Sequence, residues 1–318
     1  MKKTLPLTAI LLPTIYYLLS TAFLCGCQNK PVYKETRVLM GTFVEVTSAS
    51  PDACAIVFRE IQRIEDLLSK YKPESEISKL NRFGKLKVSP DTYYILKKSR
   101  EFWRLSDGAF DITVGPLLDI WGFTDKNYRR PSSERIKNVL SRVGFEKIIF
   151  DDTATIVEFK IPQMKIDLGA IAKGYAVDCA IKKLKANGIT NCLINAGGQI
   201  YGLGDNFGKP WNIGIKNPRG NGVLDYLKLK NQAVSTSGDY EQYFIRAKKR
   251  YSHIFNPKTG YPADSDIIYV TVVASDGLTS DALSTSIFVL GKTRGQELAK
   301  KFPDVKVILL EKKDVSDY

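Results

Sequence analysis

One stretch, residues 167–178, most constrains the fold of this chain. It reads Asp-Leu-Gly-Ala-Ile-Ala-Lys-Gly-Tyr-Ala-Val-Asp and follows a short alternating run that is typical of the end of a strand. Its alanines favour a helix, and Ile171 and Tyr175 give that helix an apolar face. Gly169 and Gly174 allow a neighbouring backbone to come close. The sequence therefore predicts a strand that leads directly into a helix.

Two polar residues give this turn a candidate chemistry. Asp167 stands where an N-cap or a ligand of a polar group would stand, and Lys173 lies early in the helix. A helix N-terminus with small residues and a lysine suits an anionic group such as a phosphate. An ordinary strand-to-helix turn with a solvated Lys173 explains the local pattern equally well, so the rest of the chain must decide.

The N-terminus is typical of an exported protein. Two lysines precede a mostly apolar run that ends in Leu-Cys-Gly-Cys at residues 24–27. A basic start followed by an apolar core is a secretory signal, and the four residues resemble the bacterial lipobox, whose last cysteine becomes lipidated. We predict a signal peptide over residues 1–26 and a tether over 27–36 that is lipidated at Cys27. An uncleaved membrane anchor is the alternative, and both place the remaining chain outside the cytoplasm.

Charge and cysteine content limit the classes of function. The chain has 318 residues and a net charge of +13, which suits nucleic acid, an anionic membrane or an anionic substrate. The basic residues are scattered and no nucleic-acid-binding motif is present, so we expect no nucleic-acid partner. Beyond the lipobox the cysteines are Cys54, Cys179 and Cys192, whose spacing matches no metal motif. We interpret them as buried apolar residues, with one disulfide possible.

Hydrophobic periodicity predicts helices mainly in the first half of the chain and strands mainly in the second. The predicted elements are helices at 52–70 and 90–105, a turn or short helix at 75–81, a loop at 106–116 that ends in a Gly-Pro stop, a short helix within 121–142, a hairpin at 148–159, and strands at 211–216, 226–229 and 271–274.

Glycines interrupt two further predicted strands. Residues 37–47 alternate like one strand with Gly41 at its centre, where a bulge is the common explanation. Residues 191–204 read as one strand broken by Gly197 and Gly198. A double glycine weakens a strand, so we expect either a diphosphate packed against bare backbone amides or tight packing of the preceding helix.

Two more stretches carry candidate chemistry. His253 is the only histidine and lies beside a Pro- and Gly-rich turn. Such a side chain can act as a general base near neutral pH, although a lone histidine usually has no special role. If a helix begins near Thr279, Asp281 and Thr285 lie one turn apart and offer oxygens to a hard cation such as Mg²⁺. First-turn capping by Asp281 is the alternative.

Together these motifs resemble the ApbE family of FAD:protein FMN transferases, from Met40 to Gly291. The motifs that carry the resemblance are Met40-Gly41-Thr42, Tyr71 with Ser75-Glu76-Ile77-Ser78 and Asn81, Asp107-Gly108-Ala109-Phe110-Asp111, residues 167–174, Asn195-Ala196-Gly197-Gly198, Ser235 with Gly238, His253 with Asn256-Pro257 and Thr259-Gly260, and Asp281 with Thr285.

The resemblance implies an α+β fold, a single T-fold-related catalytic domain over residues 37–318 in which helices surround antiparallel sheets. It implies an extracytoplasmic bacterial enzyme, attached to the membrane or working in the periplasm. Such enzymes hold FAD with Mg²⁺ on its diphosphate and transfer FMN to a Thr or Ser hydroxyl of a target flavoprotein, such as a membrane electron-transport subunit. The bond formed is a phosphoester, and AMP is released.

The resemblance also implies residue roles. His253 takes the proton from the target hydroxyl, and Ser284 stands where some relatives carry a second acidic residue. The implied metal site is formed by Asp281, Thr285, Ser284 and the main-chain oxygen of Ala170. The implied FAD site is lined by Met40, Tyr71, Ala109, Phe110, Asp111, Asp167, Lys173 and a position within 253–255, taken as Phe255.

Two other functions stay open at this point. A periplasmic FAD-binding protein, or an FAD pyrophosphatase that forms FMN and AMP, would keep the nucleotide and metal residues but need no site for a target protein. A purely structural lipoprotein would need none of these residues. The clustering of acids, glycines and the single histidine in named motifs argues against the structural lipoprotein.

Overall fold

The computed structural model describes residues 31–312, so the predicted signal peptide and the predicted lipidation at Cys27 lie outside the described residues. The strands of this part are β1 (Tyr33–Leu39), β2 (Thr42–Ser48), β3 (Lys85–Lys87), β4 (Ile148–Asp151), β5 (Ile156–Phe159), β6 (Cys192–Ala196), β7 (Gln199–Leu203), β8 (Trp211–Lys216), β9 (Val223–Leu229), β10 (Gln232–Gly238), β11 (Tyr243–Arg246), β12 (Lys249–Ser252), β13 (Ile267–Ala274) and β14 (Lys306–Glu311).

Several of the helices begin at the serine and aspartate caps that favour helix initiation. The Ser75 and Ser89 side chains accept hydrogen bonds from the backbone N–H groups of Ser78 and Thr92. The helices are α1 (Asp52–Leu68), α2 (Glu76–Phe83), α3 (Pro90–Leu105), α4 (Gly115–Trp121), α5 (Ser133–Leu140), α6 (Ala172–Ala186), α7 (Gly277–Leu290) and α8 (Lys292–Ala299).

A seven-stranded sheet in the order β1-β2-β6-β7-β10-β13-β14 forms the centre of the fold, and all its neighbouring strands are antiparallel. Helix α1 packs on β1 and β2, α7 packs on β10 and β13, and α6 contacts both helices. The β8–β9 hairpin contributes Trp211 and Leu229 to a second cluster with Val234 and Ile268. Every residue of β13 is buried. The predicted α+β class is confirmed.

Both glycine-interrupted stretches are hairpins, so the predictions of single strands at 37–47 and 191–204 were wrong. Met40 and Gly41 have φ angles of 52° and 72°, and Gly197 and Gly198 have φ angles of 59° and 92°. Two consecutive residues with positive φ are typical of the type I′ hairpin turn. A Cβ at Gly197 would lie 2.3 Å from Thr42 Oγ1, so glycine is also required where the two turns meet.

Several predictions differ from the structure. Residues 160–171 contain no strand, so the prediction of a strand that leads directly into α6 was wrong, and α6 follows a turn. Gly115 and Pro116 begin α4 rather than ending a segment, because proline lacks the N–H that the first helical turn leaves unpaired. Strand β1 begins at Tyr33, within the predicted tether, because this segment pairs with β2 as far as Tyr33 opposite Ser48. No helix among residues 31–312 is both long and apolar enough to cross a bilayer.

The cysteines behave as small apolar residues. Cys54 and Cys192 are buried and Cys179 is half-buried, and all three are free thiols. Burial raises the pKa of the Cys192 thiol to about 12, with Cys54 adding to this effect. The possible disulfide is therefore not formed in the structure.

Candidate active site

A cavity of about 560 Å³ opens where the two glycine hairpins meet residues 167–171, the turn before α6. This volume lies within the range of cavities that enclose small molecules and cofactors. Its wall combines buried aromatic rings, among them Phe110 and Phe255, with carboxylates, lysines and hydroxyls. Tyr71, which is 66% exposed, also lines the cavity and offers a ring on which a planar group can stack.

Helix α7 brings a buried carboxylate to this cavity. Asp281 is only 4% exposed, and the N-cap of α7 is Asp276, so the capping alternative for Asp281 was wrong. Asp281 Oδ2 accepts the backbone N–H of Gly174 at 3.0 Å, and Asp281 Oδ1 accepts the Ser235 hydroxyl at 3.3 Å. The carboxylate is thereby fixed between α6 and β10.

The Ala170 carbonyl oxygen lies in the turn just before α6 and accepts no hydrogen bond in the part of the chain that the structure describes. Because α6 begins at Ala172, the Gly174 N–H is one of the donors that the first turn of a helix leaves unpaired, and Asp281 accepts it. Thr285 lines the same cavity, with its hydroxyl 3.0 Å from Ser237 Oγ. A carboxylate, a carbonyl and a hydroxyl are the oxygen ligands that hard cations prefer.

His253 is poised as a neutral base. Its Nδ1 lies 3.2 Å from the Gln242 carbonyl oxygen, so Nδ1–H donates to that oxygen and Nε2 remains an acceptor. Burial lowers the pKa of His253 to about 4; nearby Lys173 lowers it further, while the Gln242 carbonyl and Asp167 act in the opposite direction. The imidazole is therefore unprotonated at neutral pH and available to accept a proton.

The turn before α6 places charged groups of both signs in the cavity. Lys173 Nζ donates to the Gly169 carbonyl at 3.3 Å. Asp167 Oδ1 accepts the Gly169 N–H at 2.7 Å, and because the N-cap position of α6 is Ile171, the N-cap alternative for Asp167 was wrong. The turn thus presents an ammonium group beside a helix N-terminus, an arrangement that suits a phosphate.

Comparison with known proteins assigns the chain. The sequence profile of the ApbE family matches residues 40–309. The chain belongs to the ApbE family. It is 33% identical to a protein of Haemophilus influenzae named FAD:protein FMN transferase, over 87% of this chain and 86% of that protein.

Solved structures of the family share the fold. The chain is 37% identical to an ApbE protein from Thermotoga maritima, with a TM-score of 0.83 over 90% of this chain and 96% of that one. It is 30% identical to the flavin transferase ApbE from Vibrio cholerae, with a TM-score of 0.80 over 89% and 94% of the two chains. The predicted family is therefore confirmed.

The structure brings nearly all the predicted site residues of this ApbE family member to one cavity. The residues that line it are Met40, Tyr71, Ala109, Phe110, Asp111, Asp167, Ala170, Lys173, His253, Phe255, Asp281 and Thr285. Asp111 is held in place by backbone hydrogen bonds: its oxygens accept from Thr113 N at 2.8 Å and from Phe145 N at 3.2 Å. Burial raises the pKa of Asp111 to about 6.

Ser284 does not line the cavity. It is fully buried, and its hydroxyl donates to the main-chain oxygen of Asp281 at 2.9 Å. The same hydroxyl lies 2.9 Å from Ser237 Oγ, so it has partners within the protein. The structure therefore does not place Ser284 with the other predicted metal ligands, because its hydroxyl is buried among protein partners outside the cavity.

The sequence reasoning missed Lys70. Its Nζ lies 2.6 Å from Asp167 Oδ2 and 4.9 Å from the centre of the Tyr71 ring, and both side chains of the ion pair are about 15% exposed. Burial raises the pKa of Asp167, but Lys70 and the Gly169 N–H outweigh that effect, so the pKa is lowered. The only signal for Lys70 in the sequence was its position directly before Tyr71, a motif residue.

Replacing Lys70 by methionine should destabilise the protein strongly, because it leaves the Asp167 charge buried without a partner. Breaking a buried pair typically costs about 3–5 kcal/mol. The free energy of unfolding, measured by urea titration, should recover in part in the Lys70→Met/Asp167→Asn double variant. The pKa of Asp167 is lower in the folded wild type than in the unfolded chain. The ion pair therefore stabilises the folded protein at pH values above the pKa of Asp167 in the unfolded chain. This stabilisation is lost as the pH falls through the pKa of Asp167 in the folded protein. Equal stability of Lys70→Met and wild type would contradict this account of the pair.

Proposed function

We propose that this chain transfers FMN from FAD to a Thr or Ser hydroxyl of a target protein. The observation that carries the proposal is one cavity that combines a neutral histidine, an anion-binding turn and a set of oxygen ligands. Membership of the ApbE family supports it, because relatives along nearly the whole chain are named FAD:protein FMN transferase.

The reaction balances without an oxidant or reductant. The target hydroxyl oxygen forms a bond to the FMN phosphorus, and the bond from that phosphorus to the oxygen bridging to AMP breaks. AMP leaves with the electron pair of the broken bond, and His253 Nε2 takes the hydroxyl proton and passes it to solvent. FAD and the protein hydroxyl thus give a phosphoester-linked FMN, AMP and one proton.

The oxygen ligands fit Mg²⁺ that is shared with a phosphate. Asp281, Thr285 and the Ala170 carbonyl would hold it, and among residues 31–312 no three His, Cys, Asp or Glu side chains gather to form a metal cage. A site with one carboxylate suits Mg²⁺, which is usually bound by few protein groups together with substrate phosphates and water. When bound, Mg²⁺ would neutralise negative charge on the diphosphate.

Side chains and a helix N-terminus of the protein would provide the other contributions to catalysis and FAD binding. Lys173 and the N-terminus of α6 offset the charge of the transferring phosphoryl group, which typically gives a large share of catalysis in such reactions. Phe110, Phe255 and the Tyr71 ring would hold the planar ring systems of FAD and exclude water from them.

We also propose that the protein works outside the cytoplasm as a membrane-anchored lipoprotein. The support is in the sequence: a basic start, an apolar run and the lipobox-like residues 24–27. The net charge of +13 would assist attraction to an anionic membrane and to a dinucleotide.

The proposal is tested by following FAD with and without a target protein. With Mg²⁺ and FAD alone, the chain should release little AMP, because water is a poor substitute for a positioned hydroxyl. Adding a flavoprotein target should release AMP and consume FAD at equal rates. Rapid formation of AMP and free FMN without a target would indicate a pyrophosphatase instead, and FAD that is bound but stays intact would indicate a binding protein.

Variants of Thr285 and of its neighbour Ser284 form a matched pair that tests the proposed metal site. Thr285→Val removes a hydroxyl that lines the cavity, so it should raise the Mg²⁺ concentration for half-maximal transfer by about tenfold. Ser284→Ala removes a buried hydroxyl outside the cavity, so it should cost about 1 kcal/mol of stability and leave the Mg²⁺ dependence unchanged. The reverse pattern in a Mg²⁺ titration would restore Ser284 as the ligand.

A further inference from the structure

Helices α6 and α7 exchange hydrogen bonds where they cross. Asp281 of α7 accepts the Gly174 N–H of α6 at 3.0 Å. Asp178 of α6 returns the contact, since its two oxygens accept the N–H groups of Gly277 and Leu278, at the start of α7, at 2.6 and 2.8 Å. Each helix thus gives a carboxylate to backbone N–H groups of the other.

The two backbones touch at this crossing. A Cβ at Gly174 would lie 2.2 Å from the Gly277 carbonyl oxygen, and a Cβ at Gly277 would lie 2.6 Å from the Gly174 carbonyl oxygen. Both distances are too short for any side chain, so only glycine at both positions permits the contact. Asp281 follows Gly277 by one helical turn, so any shift of the first turn of α7 moves its carboxylate too.

Asp178 itself faces away from the candidate active site. It lines a second cavity, of about 510 Å³, together with Tyr175 and Tyr201. Burial raises the pKa of Asp178 to about 7, with Asp276 and Asp281 adding to this effect. The hydrogen bonds of Asp178 thus go to the first turn of α7, and its side chain is not among those that line the candidate active site.

We propose that Asp178 is a positioning residue for the metal site. It docks the first turn of α7 on α6, so that Asp281 and Thr285 reach the cavity beside the Ala170 carbonyl. The inference rests on the proposed function, because it concerns the Mg²⁺ used in FMN transfer. Groups that orient metal ligands from outside the ligand set typically change metal affinity by about 10- to 100-fold when they are replaced.

Asp178→Asn tests the inference with almost no change in shape. Asparagine keeps one acceptor oxygen, but its NH₂ group meets a backbone N–H, so one of the two bonds to α7 is lost. Mn²⁺ would be titrated into the purified chain with FAD and without a target protein, and free Mn²⁺ would be read from its electron paramagnetic resonance signal. The Kd for Mn²⁺ should rise by about 10- to 100-fold, and the Mg²⁺ concentration for half-maximal transfer should rise in parallel.

Asp276→Asn is the matched control. Asp276 carries the same charge at the same end of α7, but its Oδ1 accepts the Thr279 N–H at 2.7 Å within its own helix. Asparagine caps a helix about as well as aspartate, so this variant should keep the melting temperature close to that of wild type and the Kd for Mn²⁺ within about twofold of it. An equal loss of Mn²⁺ affinity in both variants would show that charge or helix stability sets the affinity, and would overturn the inference.

Gly277→Ala disturbs the same crossing from α7 and serves as a second probe if Asp178→Asn unfolds. It should show a comparable loss of Mn²⁺ affinity in the fraction that is folded by circular dichroism. Wild-type affinity in either folded variant would overturn the inference and leave the proposed transfer intact. A wild-type chain that transfers no FMN with Mg²⁺ would overturn the transfer, and the inference with it.

Discussion

Replacing Asp281 by alanine should lower Mg²⁺-dependent FMN transfer by at least about 100-fold, because it removes the only carboxylate among the proposed metal ligands. The structure predicts a second effect. Without the carboxylate, the Gly174 N–H at the start of α6 loses its acceptor, so the contact between α6 and α7 should be weakened as well. The measurement is the rate of AMP release over a range of Mg²⁺ concentrations.

Raising the Mg²⁺ concentration should restore little activity in Asp281→Ala, since the other two proposed ligands, the Thr285 hydroxyl and the Ala170 carbonyl, carry no charge. Asp276→Asn, which changes a carboxylate in the same helix outside the metal site, is the control and should keep near-wild-type rates. Full activity of Asp281→Ala at ordinary Mg²⁺ would contradict the metal site described above.

Replacing His253 by alanine should slow transfer by about 10²- to 10⁴-fold, the usual contribution of a positioned general base. Binding of FAD, measured by quenching of flavin fluorescence, should change little, because the proposed role of His253 is toward the target hydroxyl. Loss of FAD binding with the same slowing would assign His253 to substrate binding instead.

The pH dependence gives an independent test of the histidine. Since the pKa of His253 is lowered to about 4, the imidazole should contribute no decline of the rate near pH 6.5. Burial raises the pKa of Asp111 to about 6 and that of Asp178 to about 7, so any decline that these carboxyl groups cause should be the same in wild type and in His253→Ala. The unfolded chain binds a proton near pH 6.5, so the neutral buried imidazole also costs stability as the pH falls from 6.5 toward 4. A decline of kcat/KM centred near pH 6.5 in wild type that is absent from His253→Ala would show that the imidazole is solvated in the active protein.

Local patterns were sufficient to predict the longer helices α1, α3, α6 and α7 and to select residues that share one cavity, but not the short helices α4 and α8. The apolar spacing of residues 52–68 and the Ser89 cap before Pro90 mark α1 and α3 without tertiary information. The one-turn spacing of Asp281 and Thr285 likewise depends only on helix geometry. These features are encoded within a few residues, so the sequence displays them.

Features that depend on distant partners could not be predicted. Strand alternation continues through a two-residue turn, so the hairpins at Gly41 and Gly197 looked like single strands. Lys70 becomes part of the cavity only because Asp167 lies beside it. The Gly174 N–H finds an acceptor only because Asp281 arrives from another helix. Each of these features depends on contacts that exist only in the tertiary fold, so the sequence alone does not reveal it.

The most direct test of the proposed function is the intact mass of a target flavoprotein after incubation with this chain, FAD and Mg²⁺. The account predicts that the target gains one FMN while one AMP is released, that EDTA abolishes both, and that replacing the accepting Thr or Ser of the target by alanine abolishes both. Release of AMP at an undiminished rate while the target mass stays unchanged would contradict it.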